Sequence, residues 1–328
     1  MSNRIRVAIA GYGNLGRGVE SALTQNPDMR LVGVFSRRDP ASVTLLDSSV
    51  PVYAMDTIEQ YQDEVDVMIL CGGSKTDLPE QGPYLAKFFN TVDSFDTHAK
   101  VPEYYAALDQ SARDAGRVAM LSVGWDPGLF SLNRLFGEAI LPEGETYTFW
   151  GKGLSQGHSD AVRRVPGVQS AVQYTLPSEE AIARVRSGEQ PELTTREKHK
   201  RECYVVLAEG ADADVVRDNI VTMPDYFADF DTTVNFIDQA TFAQDHSSMP
   251  HGGFVIRSGK TGAASTQTIE YSLALGSNPE FTSSVLVAYA RAVYRLARVN
   301  DIGAKTVFDI APGLLSPKSP AQLRKELL

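Results

Sequence analysis

Arg6-Val-Ala-Ile-Ala10 runs straight into Gly11-Tyr-Gly-Asn-Leu-Gly16, and this stretch decides how the 328-residue chain is read. The first five residues form a short apolar run of buried-strand type. Residues 14–26 suit a helix, with Pro27 just beyond its end. The glycines between them fit G-x-G-x-x-G, a weak pattern by itself that gains specificity when it leaves a strand and opens a helix. The physics asks for a tight turn at Gly11, close approach of a pyrophosphate to backbone at Gly13, and close helix–strand packing at Gly16. The helix N-terminus then faces the phosphates. An ordinary glycine turn is the competing reading.

Outward from this motif, strands and helices alternate through residue 125. Leu31–Phe35, Val65–Cys71, residues 91–95 and Arg117–Ser122 read as strands, with helical stretches near 79–89 and 102–115. That rhythm predicts a parallel sheet and a dinucleotide-binding half-fold. After Gly124 the pattern changes. Helical stretches near 128–140, 178–187 and 212–221 are separated by longer strand-like runs: Thr146–Trp150, Val168–Leu176, Glu202–Ala208, Thr232–Ile237 and Thr266–Leu275. In the last of these, Ile269, Tyr271, Leu273 and Leu275 alternate with polar residues, as in a sheet with one covered face. The expected architecture is α/β. It combines a Rossmann-type dinucleotide-binding domain over 1–124 with an α+β substrate and dimerisation domain over 125–278, built on a mixed sheet. The segment 279–328 is helical again and is expected to pack back on the first domain.

Composition narrows the function. Lys and Arg total 31 against 41 Asp and Glu, a formal charge of -10, which disfavours nucleic-acid binding and attachment to an anionic membrane. Two cysteines, Cys71 and Cys203, suit neither a disulfide framework nor a CxxC metal site, so no metal is expected. No apolar run reaches the roughly 18 residues of a membrane span, and the N-terminus does not read as a signal peptide. The expected location is the cytoplasm.

The end of the second strand selects the nicotinamide cofactor. An acidic residue there would favour NAD, but Ser36-Arg37-Arg38 places a hydroxyl and two guanidiniums where a 2′-phosphate would lie. NADP is therefore the expected cofactor. Gly11 and Gly13 form the pyrophosphate turn, and Tyr12, Asn14 and Leu15 are expected there by their alignment with a known family. Cys71, Gly72, Gly73, Ser74 and Thr76 follow the third strand at the edge where ligands lie in open α/β sheets. Cys71 reads as a small buried residue rather than a nucleophile. Ser94, Phe95 and Asp96, together with Val123, Gly124, Trp125, Asp126 and Pro127, are further expected cofactor contacts.

Further clusters stand at strand ends or loops: Asp93-Ser-Phe-Asp96, Gly124-Trp-Asp-Pro-Gly128, Phe149–Asp160, His199-Lys-Arg201 and Met249-Pro-His-Gly-Gly253. Singly, each has a bland reading as turn chemistry or a structural histidine. Together with Val172-Gln-Tyr-Thr-Leu-Pro-Ser178, Thr222-Met-Pro-Asp-Tyr-Phe227 and Ala311-Pro-Gly-Leu-Leu-Ser-Pro317, they closely resemble the meso-diaminopimelate dehydrogenases. The resemblance implies NADP-dependent oxidative deamination of meso-2,6-diaminopimelate at its D-centre, the reverse being a reductive amination in lysine biosynthesis. It also implies a homodimer. It places Asp96 and Asp126 as catalytic carboxylates around the reacting amino group, with Trp125, Trp150, Gln156 and Gly157 shaping that end. Thr175, Arg201, His251 and Asn278 would hold the distal L-amino-acid end. A related two-domain NADP reductase of the dihydrodipicolinate reductase or amino-acid dehydrogenase kind would share the glycine turn without needing charged partners for two amino-acid ends, and a non-catalytic NADP sensor that kept the fold would have no reason to keep Asp96, Asp126, Arg201 and His251 together.

Changing Arg37 and Arg38 together to Ala is expected to lower the NADP-to-NAD preference in kcat/KM. A ratio left unchanged would remove both guanidiniums from the phosphate clamp.

Overall fold

A computed structural model describes residues 4–328. It divides into two compact units, Met1–Leu132 with Pro279–Leu328, and Asn133–Asn278.

The first unit is built on a seven-stranded sheet. Its strands are β1 (Ile5–Ala10), β2 (Met29–Ser36), β3 (Val52–Ala54), β4 (Val67–Leu70), β5 (Thr91–Asp93), β6 (Val118–Met120) and, late in the chain, β14 (Gly303–Lys305). The order is β14-β6-β5-β4-β1-β2-β3, and every pairing is parallel. This is the doubly wound order that reverses direction beside β1, and the glycine turn leaves β1 at that switch point. Because parallel sheets are covered on both faces, their central strands are apolar throughout. Val7, Ile9, Val67 and Ile69 face one core cluster, while Ala8, Ala10, Met68 and Leu70 face the other. The helix Asn278–Arg298 supplies Val285, Leu286, Tyr289 and Val293 to the first cluster. Its Arg291 is 1% exposed and binds both carboxylate oxygens of Asp28, at 2.6 and 2.8 Å.

The second unit contains two sheets rather than one. The mixed sheet has the order β11-β10-β9-β8, from β8 (Gly153–Leu154), β9 (Val168–Pro177), β10 (His199–Leu207) and β11 (Asp231–Phe236). There β10 and β11 run parallel while the other pairs are antiparallel. The second sheet is antiparallel, in the order β13-β12-β7, from β7 (Glu143–Trp150), β12 (His251–Gly262) and β13 (Ser265–Leu275). The central strand β12 carries little apolar alternation and opens with two glycines, so the sequence pattern hides it. Those glycines are required by close approach. A Cβ at Gly252 would lie 2.2 Å from the Leu273 carbonyl oxygen, and one at Gly253 2.2 Å from that of Phe149. A second departure is the segment after Leu154, which reads as a glycine-containing loop but forms the helix Gln156–Arg163, capped by the Ser155 hydroxyl.

Among the described residues no helix is long and apolar enough to cross a membrane, and no cluster of His, Cys, Asp and Glu could hold a metal ion. Both cysteines are free thiols.

Arg291→Leu would strand the partly buried Asp28 carboxylate without its cation. Urea unfolding is expected to show a loss of about 3 kcal/mol. A loss below about 1 kcal/mol would mean that the pair is no more than a solvated surface bridge.

Candidate active site

In the first unit, one set of candidate residues grows from the turn after β1. Gly11 has φ +96 and donates its N–H to the Phe35 carbonyl at 2.9 Å, which ties the turn to β2. A Cβ at Gly16 would stand 2.3 Å from the Gly11 carbonyl oxygen, so a side chain there would push the helix off the strand. Gly13 caps the helix Asn14–Thr24 without any side-chain hydrogen bond, and the first turn holds no acidic residue. The N-terminal amides therefore face an open cavity of about 420 Å³, lined by Gly11, Gly13, Asn14, Ser36, Arg37 and Arg38 among others. A helix end with its donors uncapped and guanidiniums beside it suits a polyanion. The cradle thus fits a dinucleotide phosphate.

Individual residues meet it differently. Tyr12 and Leu15 contribute backbone only, since Leu15 packs on the core and the Tyr12 hydroxyl is turned inward to donate to the Glu20 carboxylate. Burial, reinforced by that carboxylate, pushes the Tyr12 phenol up to about 12. Arg38 donates to the Tyr12 carbonyl at 2.6 Å, and the Ser36 hydroxyl accepts from the Arg38 amide at 3.0 Å. Arg37 forms an exposed ion pair with Asp77 at 2.9 Å, weak enough to be exchanged for a phosphate. Asp77, Gln81, Arg17 and Met55 also line the cavity, although no motif in the sequence marks them. After β4, burial pushes the Cys71 thiol far up, so it is no nucleophile. Gly73 donates to Asp77 at 2.8 Å, and the Ser74 hydroxyl accepts from the Asp96 amide at 3.0 Å. Thr76 lies beside Arg37 and Asp77 in a neighbouring depression.

Asp93 ends β5 fully buried, accepting from the Phe95 and Ser122 amides at 2.9 and 3.2 Å and from the Tyr104 hydroxyl at 2.6 Å. Burial outweighs these hydrogen bonds and pushes its carboxyl up to about 6. Asp93 is thus the anchor of the Asp93–Asp96 segment, a role its spacing does not announce. Phe95 was expected at the cofactor, but its ring is 1% exposed and stacks on Tyr104 at 4.3 Å. Val123 is fully buried in the core as well. Both can offer a cofactor only backbone. Ser94 is half-buried and Asp96 exposed at the strand end. The Gly124-Trp-Asp-Pro-Gly128 turn is closed by a bridge between Trp125 and Gly128, which leaves Asp126 and Pro127 half-buried at its apex. Trp125 is 7% exposed and packs edge-on against Phe130 at 5.3 Å.

A second set of candidate residues lies within the second unit. Thr175 on β9 and Arg201 on β10 are register partners, and the Arg201 guanidinium donates to the Thr175 hydroxyl. Arg201 also lies over the Phe230 ring at 3.9 Å. No carboxylate pairs with it among the described residues, and burial lowers its pKa to about 10. Gln156, His251 and Asn278 gather around one turn. The Gln156 amide reaches the Met249 sulfur at 3.4 Å, the Asn278 amide donates to the Met249 carbonyl at 3.0 Å, and the Leu154 amide donates to the Pro250 carbonyl at 3.0 Å. His251 follows that turn and fills the space over Gly153, where a Cβ would lie 2.4 Å from its ring. Gly157 has nothing within 4 Å of where its Cβ would stand, in the first turn of the helix that Gln156 opens.

Trp150 ends β7, and its backbone N–H donates to His199 Nε2 at 2.9 Å while the two rings stack at 5.3 Å. Burial, with Arg201 and Lys198 nearby, lowers the His199 pKa to about 4, and burial with Arg201 does the same for His158. His199 is therefore neutral and can accept. Its place at Trp150 was not legible, because a histidine beside basic residues carries no positional signal.

These depressed values have a signed consequence. Each buried ring contributes stability that is full above its unfolded value near 6.5 and is lost as pH falls toward 4. Thermal unfolding over that window is expected to weaken by up to about 3 kcal/mol per ring. His199→Gln, which keeps an acceptor without a titration, should flatten the decline. An unchanged slope would locate the acid sensitivity elsewhere.

The family profile described as Diaminopimelic acid dehydrogenase C-terminal domain matches residues 124–277. Meso-diaminopimelate D-dehydrogenase of Lysinibacillus sphaericus is 67% identical over 324 residues, covering 99% of each chain. The solved structure of Corynebacterium glutamicum DAP dehydrogenase in complex with DAP is 50% identical, with TM-score 0.90 and 100% of both chains covered. An engineered D-amino acid dehydrogenase bound to NADP+ is 48% identical, with TM-score 0.85 over 99% of this chain and 100% of the other. The chain belongs to the meso-diaminopimelate D-dehydrogenase family.

Proposed function

We propose that this chain oxidatively deaminates meso-2,6-diaminopimelate at its D-centre with NADP, yielding L-2-amino-6-oxopimelate, ammonia and NADPH, and that it serves lysine biosynthesis in the reductive direction. The observation that carries this reading is Arg201. Its buried guanidinium rests on an aromatic face and a hydroxyl and has no acidic partner among the described residues. A buried charge without a counter-ion is costly, and a ligand carboxylate held by two parallel hydrogen bonds would meet that cost.

The labour divides between the units. The first holds the cofactor through the uncapped helix N-terminus and the Ser36-Arg37-Arg38 segment. NADP, when bound, supplies the two-electron acceptor for the Cα hydrogen of the D-centre. Asp96 and Asp126 meet the ammonium of that centre and fix its orientation, which is catalysis largely by positioning. Asp126 is the better general base. It sits at the apex of a turn closed by a backbone bridge, whereas Asp96 is exposed at a strand end. Its carboxylate takes a proton from the amine or from the water that adds to the imine. In the second unit Thr175 and Arg201 hold the distal carboxylate. His251 and Asn278 complete the surround of that distal end, while Gln156, Gly157 and Trp150 shape the end that reacts.

A homodimer through the second unit is supported by Leu135, Phe136 and Ile140, which stand 43%, 48% and 62% exposed along one helix. Two free thiols accord with a reducing cytoplasm. The acidic net charge accords with a small-molecule substrate rather than nucleic acid.

A spectrophotometric assay tests the whole reading. NADPH should form with meso-diaminopimelate and not with L,L-diaminopimelate, lysine or glutamate. Folded protein without that activity would overturn it. Arg201→Ala should raise the KM for diaminopimelate at least tenfold while leaving the KM for NADP unchanged, and Asp126→Asn should act chiefly on kcat.

A further inference from the structure

In the mixed sheet, Arg201 does not stand alone. Across the strands its register partners are Thr175 on β9 and Thr232 on β11, and two residues along, on the same face, Gln173 pairs with Cys203. Register partners project to the same face of a sheet, and residues two apart along a strand share that face. Thr175, Arg201, Thr232 and Gln173 therefore form one polar field. It adjoins the apolar cluster of Ala171, Cys203, Val205 and Phe227 on the same sheet.

This field is short of hydrogen-bond partners. Gln173 is fully buried, yet neither its amide oxygen nor its amide nitrogen has a partner. The same holds for Arg201 Nε and for the Thr232 hydroxyl. These four atoms are half of the unpartnered buried side-chain atoms among the described residues. Native interiors satisfy the great majority of such groups, so a concentration on one sheet face marks a place where the partner is supplied from outside the chain. The main chain of Gln173 is fully used: its amide donates to the Ser159 hydroxyl at 2.9 Å and its carbonyl accepts from the Ser155 amide at 3.1 Å. The strand is pinned, and only the side-chain amide is left unmatched.

We infer that Gln173 and Thr232 are additional substrate-binding residues, which with Thr175 and Arg201 read the distal amino-acid head of the ligand. This rests on the reading of Arg201 as the distal carboxylate grip. Thr232 offers a second hydroxyl on the side of Arg201 opposite Thr175. Gln173 offers a carbonyl oxygen that can accept from an ammonium and an amide nitrogen that can donate to a carboxylate. A head bearing both charges matches that pair of functions, whereas a plain carboxylate or an alkyl end leaves part of the field unmatched. Sites built to bond polar groups reject ligands lacking them for this reason.

The test uses near-isosteric variants of the full enzyme, Gln173→Met and Thr232→Val, beside Arg201→Met. The readouts are KM and kcat for meso-diaminopimelate, its Kd by calorimetry on the NADPH-bound enzyme, KM for NADP, and Tm without ligand. Each variant is expected to raise KM and Kd for diaminopimelate about tenfold, the scale of one lost hydrogen bond, with the KM for NADP unmoved. Tm without ligand should hold or rise, because an unmatched buried polar group has been removed. A lowered Tm with unchanged KM and Kd would overturn the inference and make both residues structural. If Arg201→Met raises KM while the other two do not, this inference alone fails. If Arg201→Met also leaves KM unchanged, the reading of Arg201 fails with it.

Discussion

The first unit depends on one steric constraint, the near-contact of the helix Asn14–Thr24 with the end of β1. Gly16 lets the helix begin almost on top of the Gly11 carbonyl. That placement aims the uncapped helix end along the edge of the sheet instead of away from it. The rest of the cradle follows from the same geometry. β2 delivers Ser36, Arg37 and Arg38 to one side because it pairs with β1, and β4 delivers Gly72 and Gly73 to the other because it pairs with the opposite edge of that strand. A side chain at Gly16 would push the helix off the strand and carry its N-terminal amides away from those residues.

The second unit solves a different problem, that of keeping a cation out of water without a fixed counter-charge. The mixed sheet has an apolar half, where Ala171, Cys203 and Val205 pack, and a polar half around Thr175 and Arg201. The Phe230 ring and the Thr175 hydroxyl hold the guanidinium in place but do not neutralise it. An internal carboxylate would have stabilised the free protein and competed with the ligand for the same donors. If Arg201 grips the ligand as proposed, leaving the pair incomplete trades some stability for affinity and selectivity.

How much of this could be read from the sequence depended on the type of signal. The strand–glycine–helix passage at residues 6–24 was legible because three independent requirements coincide there, and Ser36-Arg37-Arg38 because it stands at a fixed distance beyond it. The idiosyncratic segments around Trp125, Gln156 and His251 were legible through family resemblance. Strand β12 was not, since its first residues are a histidine and two glycines whose reason is the closeness of neighbouring backbones. That the Phe95 ring packs against Tyr104, leaving only its backbone for a cofactor, has no signal in the sequence. Gln173 lay hidden in an apolar strand, where an unpaired amide has no sequence signature. His199 was hidden for a similar reason, since its partner is a main-chain group.

The interruption of the first unit has a consequence for how the molecule comes into being. Its sheet is closed at one edge by β14, and its core is completed by the helix Asn278–Arg298, both made only after the whole of the second unit. On a ribosome the second unit can therefore assemble as a continuous stretch while the first waits with one face of its sheet uncovered. The order in which the units are completed is the reverse of the order in which they begin. A chain cut short anywhere before Arg291 would retain the glycine turn and lack the packing that holds it in shape.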